Sequence, residues 1–219
     1  MSDPLKTIET FYKGTQSLLD AASRIQHLKR IVHLSSHQVY GKNETGQLIT
    51  ENSFGSFEAL NTSNCYAESK RIAESLCSCY KNNLRLPIII LRPFAFIGPY
   101  QDIEKPWAIN SFIRDAILGG PIRIIGNGLT ERSYLYASDM AYCILKSLIE
   151  GKIGEVYNLG SNTPISLNEL VVALTFPIIA PFRYISYEIT ATSSILVAQV
   201  NKLLVLVLLS GANVNTPGA

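Results

Sequence analysis

The chain has 219 residues, enough to bury a core, and its 47% hydrophobic and 16% charged residues make it globular rather than disordered. Nineteen basic residues against 17 acidic leave a formal charge of +2, scattered without a basic stripe, which argues against nucleic acid as a partner. Met1 to Thr10 has no apolar stretch behind a basic start, and the apolar run Leu203 to Leu209 falls far short of the ~20 residues a membrane helix needs, so neither a signal peptide nor a membrane span is expected.

In chain order, Pro4 to Ala22 reads as a helix, with Asp3 placed to cap it and Leu18, Leu19 and Ala22 at helical spacing. Ile31, Val32, His33 and Leu34 read as a buried strand, which puts Ser36 at a strand's carboxyl end, where open α/β sheets hold their ligands. The stretch around Tyr66 and Lys70 contains no Gly or Pro, so a second helix is predicted there. Ile88 to Leu91 form a second apolar run that ends at Pro93. Helix, strand, helix, strand is the rhythm of a doubly wound parallel sheet. Trp107 to Leu118 reads as an amphipathic helix carrying Ile109, Phe112, Ile113, Ala116 and Ile117, followed by a short strand at Ile122 to Ile125. Met140 to Ile149 is a further helix with Asp139 as its cap, and Val156 to Leu159 a short strand, with Asn158 and Gly160 as turn and strand-end residues. Cys65, Cys77, Cys79 and Cys143 have neither a metal-ligand nor a disulfide-framework spacing, so reduced thiols in a cytoplasmic protein without a bound metal are expected.

Ser36, Tyr66 and Lys70 carry the chemistry. A helix stacks Tyr66 and Lys70, four apart, on one face. A free phenol with a pKa of ~10 is a poor base at neutral pH, and a nearby ammonium favours the phenolate. Tyr66 is therefore the candidate acid or base, and Lys70 its electrostatic partner. A Tyr-x-x-x-Lys pair alone is weak evidence, because chance supplies it often.

Five ordered blocks strengthen it: "SSHQVYG" at 35 to 41, "YAESK" at 66 to 70, "LRPFAFIGP" at 91 to 99, "GNGLTERSYLYASDMA" at 126 to 141 and "GEVYNLGSNTPISLNEL" at 154 to 170. On these blocks the chain resembles the extended short-chain dehydrogenase/reductase family, the NAD-dependent epimerase/dehydratase group acting on nucleotide sugars. The resemblance implies a Rossmann-like α/β domain over residues 1–219, lacking its first strands, with substrate-lobe segments near 100–135 and 164–219. It implies Ser36, Tyr66 and Lys70 as the catalytic triad, with Ser35, Tyr66, Lys70 and Pro93 against an NAD or NADP cofactor. It implies Ser36, His37, Gln38, Ala95 and Arg132 against a nucleotide-sugar substrate. Arg132 sits in a "G-x-x-x-R-x-x-x-x-x-x-D" pattern with Gly128 and Asp139, and its guanidinium suits a diphosphate. Relatives of this type commonly dimerise through two long helices, so a homodimer using the Tyr66 helix is a further implication.

The departures from the family pattern are equally specific. No Gly-x-x-Gly-x-x-Gly turn follows any strand, and its glycines and helix N-terminus are what hold a dinucleotide pyrophosphate. Two βαβ units of ~30 residues would ordinarily precede the Ser36 strand. These points lead to the expectation of a truncated product, a mis-assigned start or a degenerate copy, with a parallel strand's flank left open. The segment Ile195 to Leu204 resembles a late family segment, and the closing helix of the substrate lobe is not recognisable. In the family's dehydratases an Asp-Glu pair follows the hydroxyl residue; here His37 and Gln38 stand there, and an amide cannot transfer a proton as a carboxylic acid does, so dehydration is disfavoured. Packing beside the site is an equal reading for His37. Ala95 stands where an Asn is common, removing both a donor and an acceptor. Two function classes follow: an epimerase- or reductase-type enzyme, and a non-catalytic remnant that binds a nucleotide sugar or a partner.

Overall fold

The structure, a computed structural model, describes residues 3–43, 46–58 and 60–179. The segment Ile195 to Leu204, the apolar run Leu203 to Leu209 and the expected substrate-lobe stretch beyond 179 lie outside the described residues. Along the chain run α1 (Pro4–Ala22), β1 (Ile31–Leu34), a 3-10 turn (His37–Tyr40), a shorter one (Thr62–Asn64), α2 (Cys65–Leu84), β2 (Ile88–Pro93), β3 (Ala95–Ile97), α3 (Ala108–Ile117), β4 (Glu131–Arg132), β5 (Tyr134–Tyr136), α4 (Ala137–Glu150), β6 (Val156–Leu159), β7 (Ile165–Ser166) and α5 (Leu167–Ile179). The described residues divide into two compact units: those up to 94 with 140–159, and 95–139 with 160–179. Among the described residues no helix is long and apolar enough to cross a membrane, and no cluster of His, Cys, Asp or Glu could hold a metal ion.

The first unit is built on a parallel sheet in the order β1-β2-β6. Ile31 to Leu34 pair in register with Ile88 to Leu91, and Ile90 to Pro93 pair with Val156 to Leu159. β2 is central, and its unbroken run Ile88, Ile89, Ile90, Leu91 is buried throughout, as a strand covered on both faces must be. The expectation that β1 is equally buried is corrected: it pairs on one side only among the described residues, and Leu34 is 40% exposed.

α1 starts where Asp3 accepts hydrogen bonds from the Leu5 and Lys6 amides at 3.0 and 3.3 Å, with Pro4 in the first turn, where a missing N–H costs nothing. Its buried stripe is Thr15, Leu19 and Ala22, whereas Leu18, read from the sequence as part of that stripe, faces outward. α2 packs against α1 through small residues, with Ala73 and Cys77 fully covered, and it ends at Arg85 in the left-handed conformation. Leu19, Ala22, Cys77, Leu86, Ile88 and Ile90 close one core between these helices and the sheet.

The second unit pairs β3 in parallel with β5 and β4 antiparallel with β7. α3 buries Ile109, Phe112 and Ile113, the i, i+3, i+4 stripe read from the sequence, against Ile97, Tyr134, Leu170 and Leu174. Two expectations are corrected here. Ile122 to Ile125 is not a strand: Ile122 and Ile124 pack on this core with no ladder partner among the described residues. Asp139 does not cap α4, because the helix already begins at Ala137 and places Asp139 inside its first turn, where a carboxylate still favours the helix dipole.

One buried group makes the first unit acid-sensitive. The His33 ring on β1 has its Nε2 buried with no hydrogen-bond partner. Burial, helped by Lys70 and opposed by Glu74, pulls its pKa from 6.5 down to about 4. The folded chain therefore binds fewer protons than the unfolded chain between those values, so the neutral-His33 contribution is complete above pH 6.5 and drains as pH falls toward 4. Relative to a His33→Leu variant, the native chain is expected to lose about 2 kcal/mol between pH 7 and pH 5, checked by urea unfolding at both pH values.

Candidate active site

Lys70 and Tyr66 sit on the first turns of α2, on the face turned toward β1 and α1. The Lys70 ammonium donates a hydrogen bond of 2.7 Å to the Leu34 carbonyl, the last residue of β1. It also lies 4.3 Å from the centroid of the Phe11 ring on α1 and 5.9 Å from that of Tyr66. The Phe11 and Tyr66 rings meet edge to face, 5.4 Å apart at 83°. Burial lowers the Lys70 pKa from its ordinary value, against the pull of Glu74 one turn along the helix. Tyr66 is 36% exposed, so part of its side chain faces solvent.

Beyond Leu34 the chain enters the turn that carries the serines. Ser36 is the buried N-cap of the His37–Tyr40 turn, its Oγ accepting from the Gln38 amide at 3.2 Å, and that turn packs against α2. The Ser35 amide continues the β1–β2 ladder by donating to the Leu91 carbonyl at 2.7 Å, while its Oγ is buried with no hydrogen-bond partner. A hydroxyl so placed is costly unless something it can bond arrives. His37 stacks on Phe94, and its Nδ1 lies 3.2 Å from the Pro93 carbonyl; a carbonyl can only accept, so this contact assigns the proton to Nδ1. Gln38 is exposed, and Pro93 is buried at the end of β2. Ser35, Ser36, His37, Gln38, Tyr66, Lys70 and Pro93 thus all belong to the first unit. Ala95 and Arg132 belong to the second: Ala95 packs in β3 on that unit's core, and Arg132 is exposed on β4, its Nη1 donating to the Glu131 carbonyl at 3.2 Å.

A network under this site was not singled out from the sequence. On β2, Arg92 makes two bonds to the Glu74 carboxylate of α2, at 2.9 and 2.6 Å. Its Nη1 donates to the Tyr40 hydroxyl at 2.7 Å and to the Glu51 carbonyl at 3.1 Å. Tyr40 in turn donates to Asn158 Oδ1 at 2.7 Å, and the Asn158 amide donates to the Glu51 carboxylate at 2.8 Å. Burial opposes the Arg92 charge, yet the bonds to Glu74 and Tyr40 outweigh it and hold the guanidinium above its ordinary range. The signal in the sequence was the spacing: Glu74 lies four residues beyond Lys70, on the same helix face. Phe11 was not singled out either; it lies four residues ahead of Thr15 and eight ahead of Leu19, on the buried stripe of α1.

This geometry places a phenol and an ammonium at the carboxyl end of a parallel strand. The NAD dependent epimerase/dehydratase family matches residues 1–160 of the chain. The chain belongs to that family. It is 37% identical over 150 residues to the trifunctional UDP-glucose 4,6-dehydratase/UDP-4-keto-6-deoxy-D-glucose 3,5-epimerase/UDP-4-keto-L-rhamnose-reductase of Arabidopsis thaliana, covering 68% of this chain and 21% of that protein. It is 31% identical over 177 residues to UDP-glucuronic acid decarboxylase 6 of the same plant, covering 80% of this chain and 51% of the relative. Among solved structures, dTDP-glucose 4,6-dehydratase of Bacillus anthracis in complex with NAD superposes with a TM-score of 0.70 at 28% identity, over 81% of this chain and 55% of that one. The chain thus spans about half the length, or less, of the relatives it matches. Members of the family are NAD-dependent enzymes acting on nucleotide sugars, and the parallel sheet described above is theirs.

Removing the Glu74 carboxylate should leave the Arg92 guanidinium buried without its partner. Glu74→Ala is expected to cost about 3 kcal/mol in urea unfolding, and an Arg92→Met, Glu74→Leu double variant to recover most of it. The same Glu74→Ala change should lower the titration of the Lys70 amine further, read by NMR.

Proposed function

We propose that this chain carries the proton-transfer residues of an NAD-dependent nucleotide-sugar epimerase or reductase. The observation that carries this reading is the Lys70 ammonium anchored on the Leu34 carbonyl at the end of β1, one helical turn from the partly exposed Tyr66. In this reading Tyr66 exchanges a proton with a sugar hydroxyl or carbonyl. Ser36 hydrogen-bonds the same oxygen, and Lys70 supplies a positive charge one helical turn away.

NAD, when bound, supplies the hydride acceptor. Its nicotinamide end fits the residues at the end of β1: Lys70 has three donors and spends one on Leu34, and the buried Ser35 hydroxyl lacks a partner. Lys70, Tyr66, Ser35 and Pro93 are the residues that would hold it there. The 219 residues contain no Gly-x-x-Gly-x-x-Gly turn for its pyrophosphate. On the substrate side, the exposed guanidinium of Arg132 suits a diphosphate, and Ala95 offers neither donor nor acceptor. His37, stacked on Phe94 and tied to the Pro93 carbonyl, supports a packing role, and neither it nor Gln38 replaces a pair of carboxyl groups. Epimerisation, keto-sugar reduction or uronic acid decarboxylation is therefore favoured over dehydration. A homodimer through α2 belongs to the same reading and is supported by the exposed Ile72 and Leu84 on that helix. The free thiols among the described residues support a reducing, cytoplasmic compartment. A second reading is a nucleotide-sugar-binding protein without turnover.

Two measurements separate these readings. In a thermal-shift screen a UDP- or dTDP-sugar should raise the melting temperature, and turnover with NAD should fall roughly 10²- to 10⁴-fold in Tyr66→Phe with binding retained. A shift without turnover selects the binding protein. Absence of any shift, or turnover that survives Tyr66→Phe, overturns the proposal.

A further inference from the structure

We propose that Phe11 is a positioning residue of this site, its ring face holding the Lys70 ammonium against β1 while its edge-to-face contact with the Tyr66 ring sets that ring's orientation. The inference rests on the proton-transfer reading of Tyr66 and Lys70. α1 takes no part in the motif that identified the site, yet it supplies the third wall. The Lys70 nitrogen is bracketed by the Leu34 carbonyl at 2.7 Å and the Phe11 centroid at 4.3 Å, a cation–π distance. The same Phe11 ring meets Tyr66 edge to face at 5.4 Å. One side chain therefore touches both members of the pair. An aliphatic residue at position 11 would keep the apolar wall but lose the negative face that attracts the ammonium.

Phe11 itself is held firmly. It lies on the same face of α1 as the buried Thr15 and Leu19, and α1 packs along α2. The ring cannot follow Lys70 if the lysine swings out, so the ammonium gives up its π partner when it leaves the Leu34 carbonyl. Of the ionisable groups around Lys70, Glu74 and Tyr66 share α2 with it and His33 faces it from β1. Glu74 supports the ammonium and His33 is neutral at pH 7, while burial works against the charge. Phe11 adds a stabilising partner from α1.

The test reads the Lys70 amine directly, by NMR titration of its side-chain Cε–Hε resonances in the full chain, with circular dichroism confirming the fold. Phe11→Leu is expected to lower the titration midpoint by about half a pH unit, and Phe11→Tyr to restore it. Should Phe11→Leu fail to fold, pentafluorophenylalanine at position 11 keeps the shape while reversing the ring quadrupole, and should give the same downward shift. The ring-current shift that the Phe11 ring imposes on the Tyr66 protons should be lost in the leucine variant and kept with tyrosine. A Lys70 midpoint unchanged in both the leucine and the fluorinated variants overturns the proposal. This readout needs neither cofactor nor turnover, so an inactive chain with the expected shifts would sink the proton-transfer reading and leave the positioning role standing.

Discussion

Arg92 is the constraint on which the first unit's architecture depends. It stands on the central strand, where a charge is hardest to tolerate, and it is made tolerable by a two-point bond to Glu74, the Tyr40 hydroxyl and the Glu51 carbonyl. Each partner lies on a different element: α2, the turn after β1, and the loop beyond it. Asn158 on β6 closes the circuit through Tyr40 and Glu51. A guanidinium has a fixed fork of donors, so its partners must meet it at set angles. The helix bearing Tyr66 and Lys70 and the turn bearing Ser36 are thereby referred to the same strand.

That constraint explains what was legible in the sequence. α1, β1, β2, α3 and β6 were readable from apolar spacing or apolar runs, and α2 from its freedom from Gly and Pro. The two-residue strands β4 and β7, and β3 and β5 of three residues, left no such signal, because a ladder this short is fixed by its partner rather than by its own pattern. Ile122 to Ile125 failed in the opposite way: alternating isoleucines mark a face that packs, and in the second unit they pack without pairing. Asp139 shows that a carboxylate near a helix start specifies the first turn better than the cap itself.

At the site, sequence motifs singled out Tyr66 and Lys70 and missed the side chains packed around them. Tyr66 and Lys70 follow from a four-residue spacing; the Arg92 network and Phe11 could be placed only once β2, α1 and α2 were in three dimensions. Long-range partners such as Tyr40 and Asn158, 118 residues apart, carry no local pattern that announces their bond. The unpartnered Ser35 hydroxyl is likewise invisible to a motif, which records identity and not satisfaction.

The site residues divide between the two units. Tyr66, Lys70, Ser35 and Ser36 all stand on the first unit's own sheet, helices and turn, and the described contacts of the Lys70 ammonium, to Leu34, Phe11 and Tyr66, lie within that unit. Arg132 and Ala95, the residues read as facing the substrate, depend on β3, β4 and the core formed with α3 and α5. Arg132 and Ala95 share none of the described partners of Lys70, which are Leu34, Phe11 and Glu74 of the first unit. Within the first unit, a change at Arg92 or Glu74 perturbs the charge balance around Lys70 and the seat of the Ser36 turn together, because one guanidinium serves both.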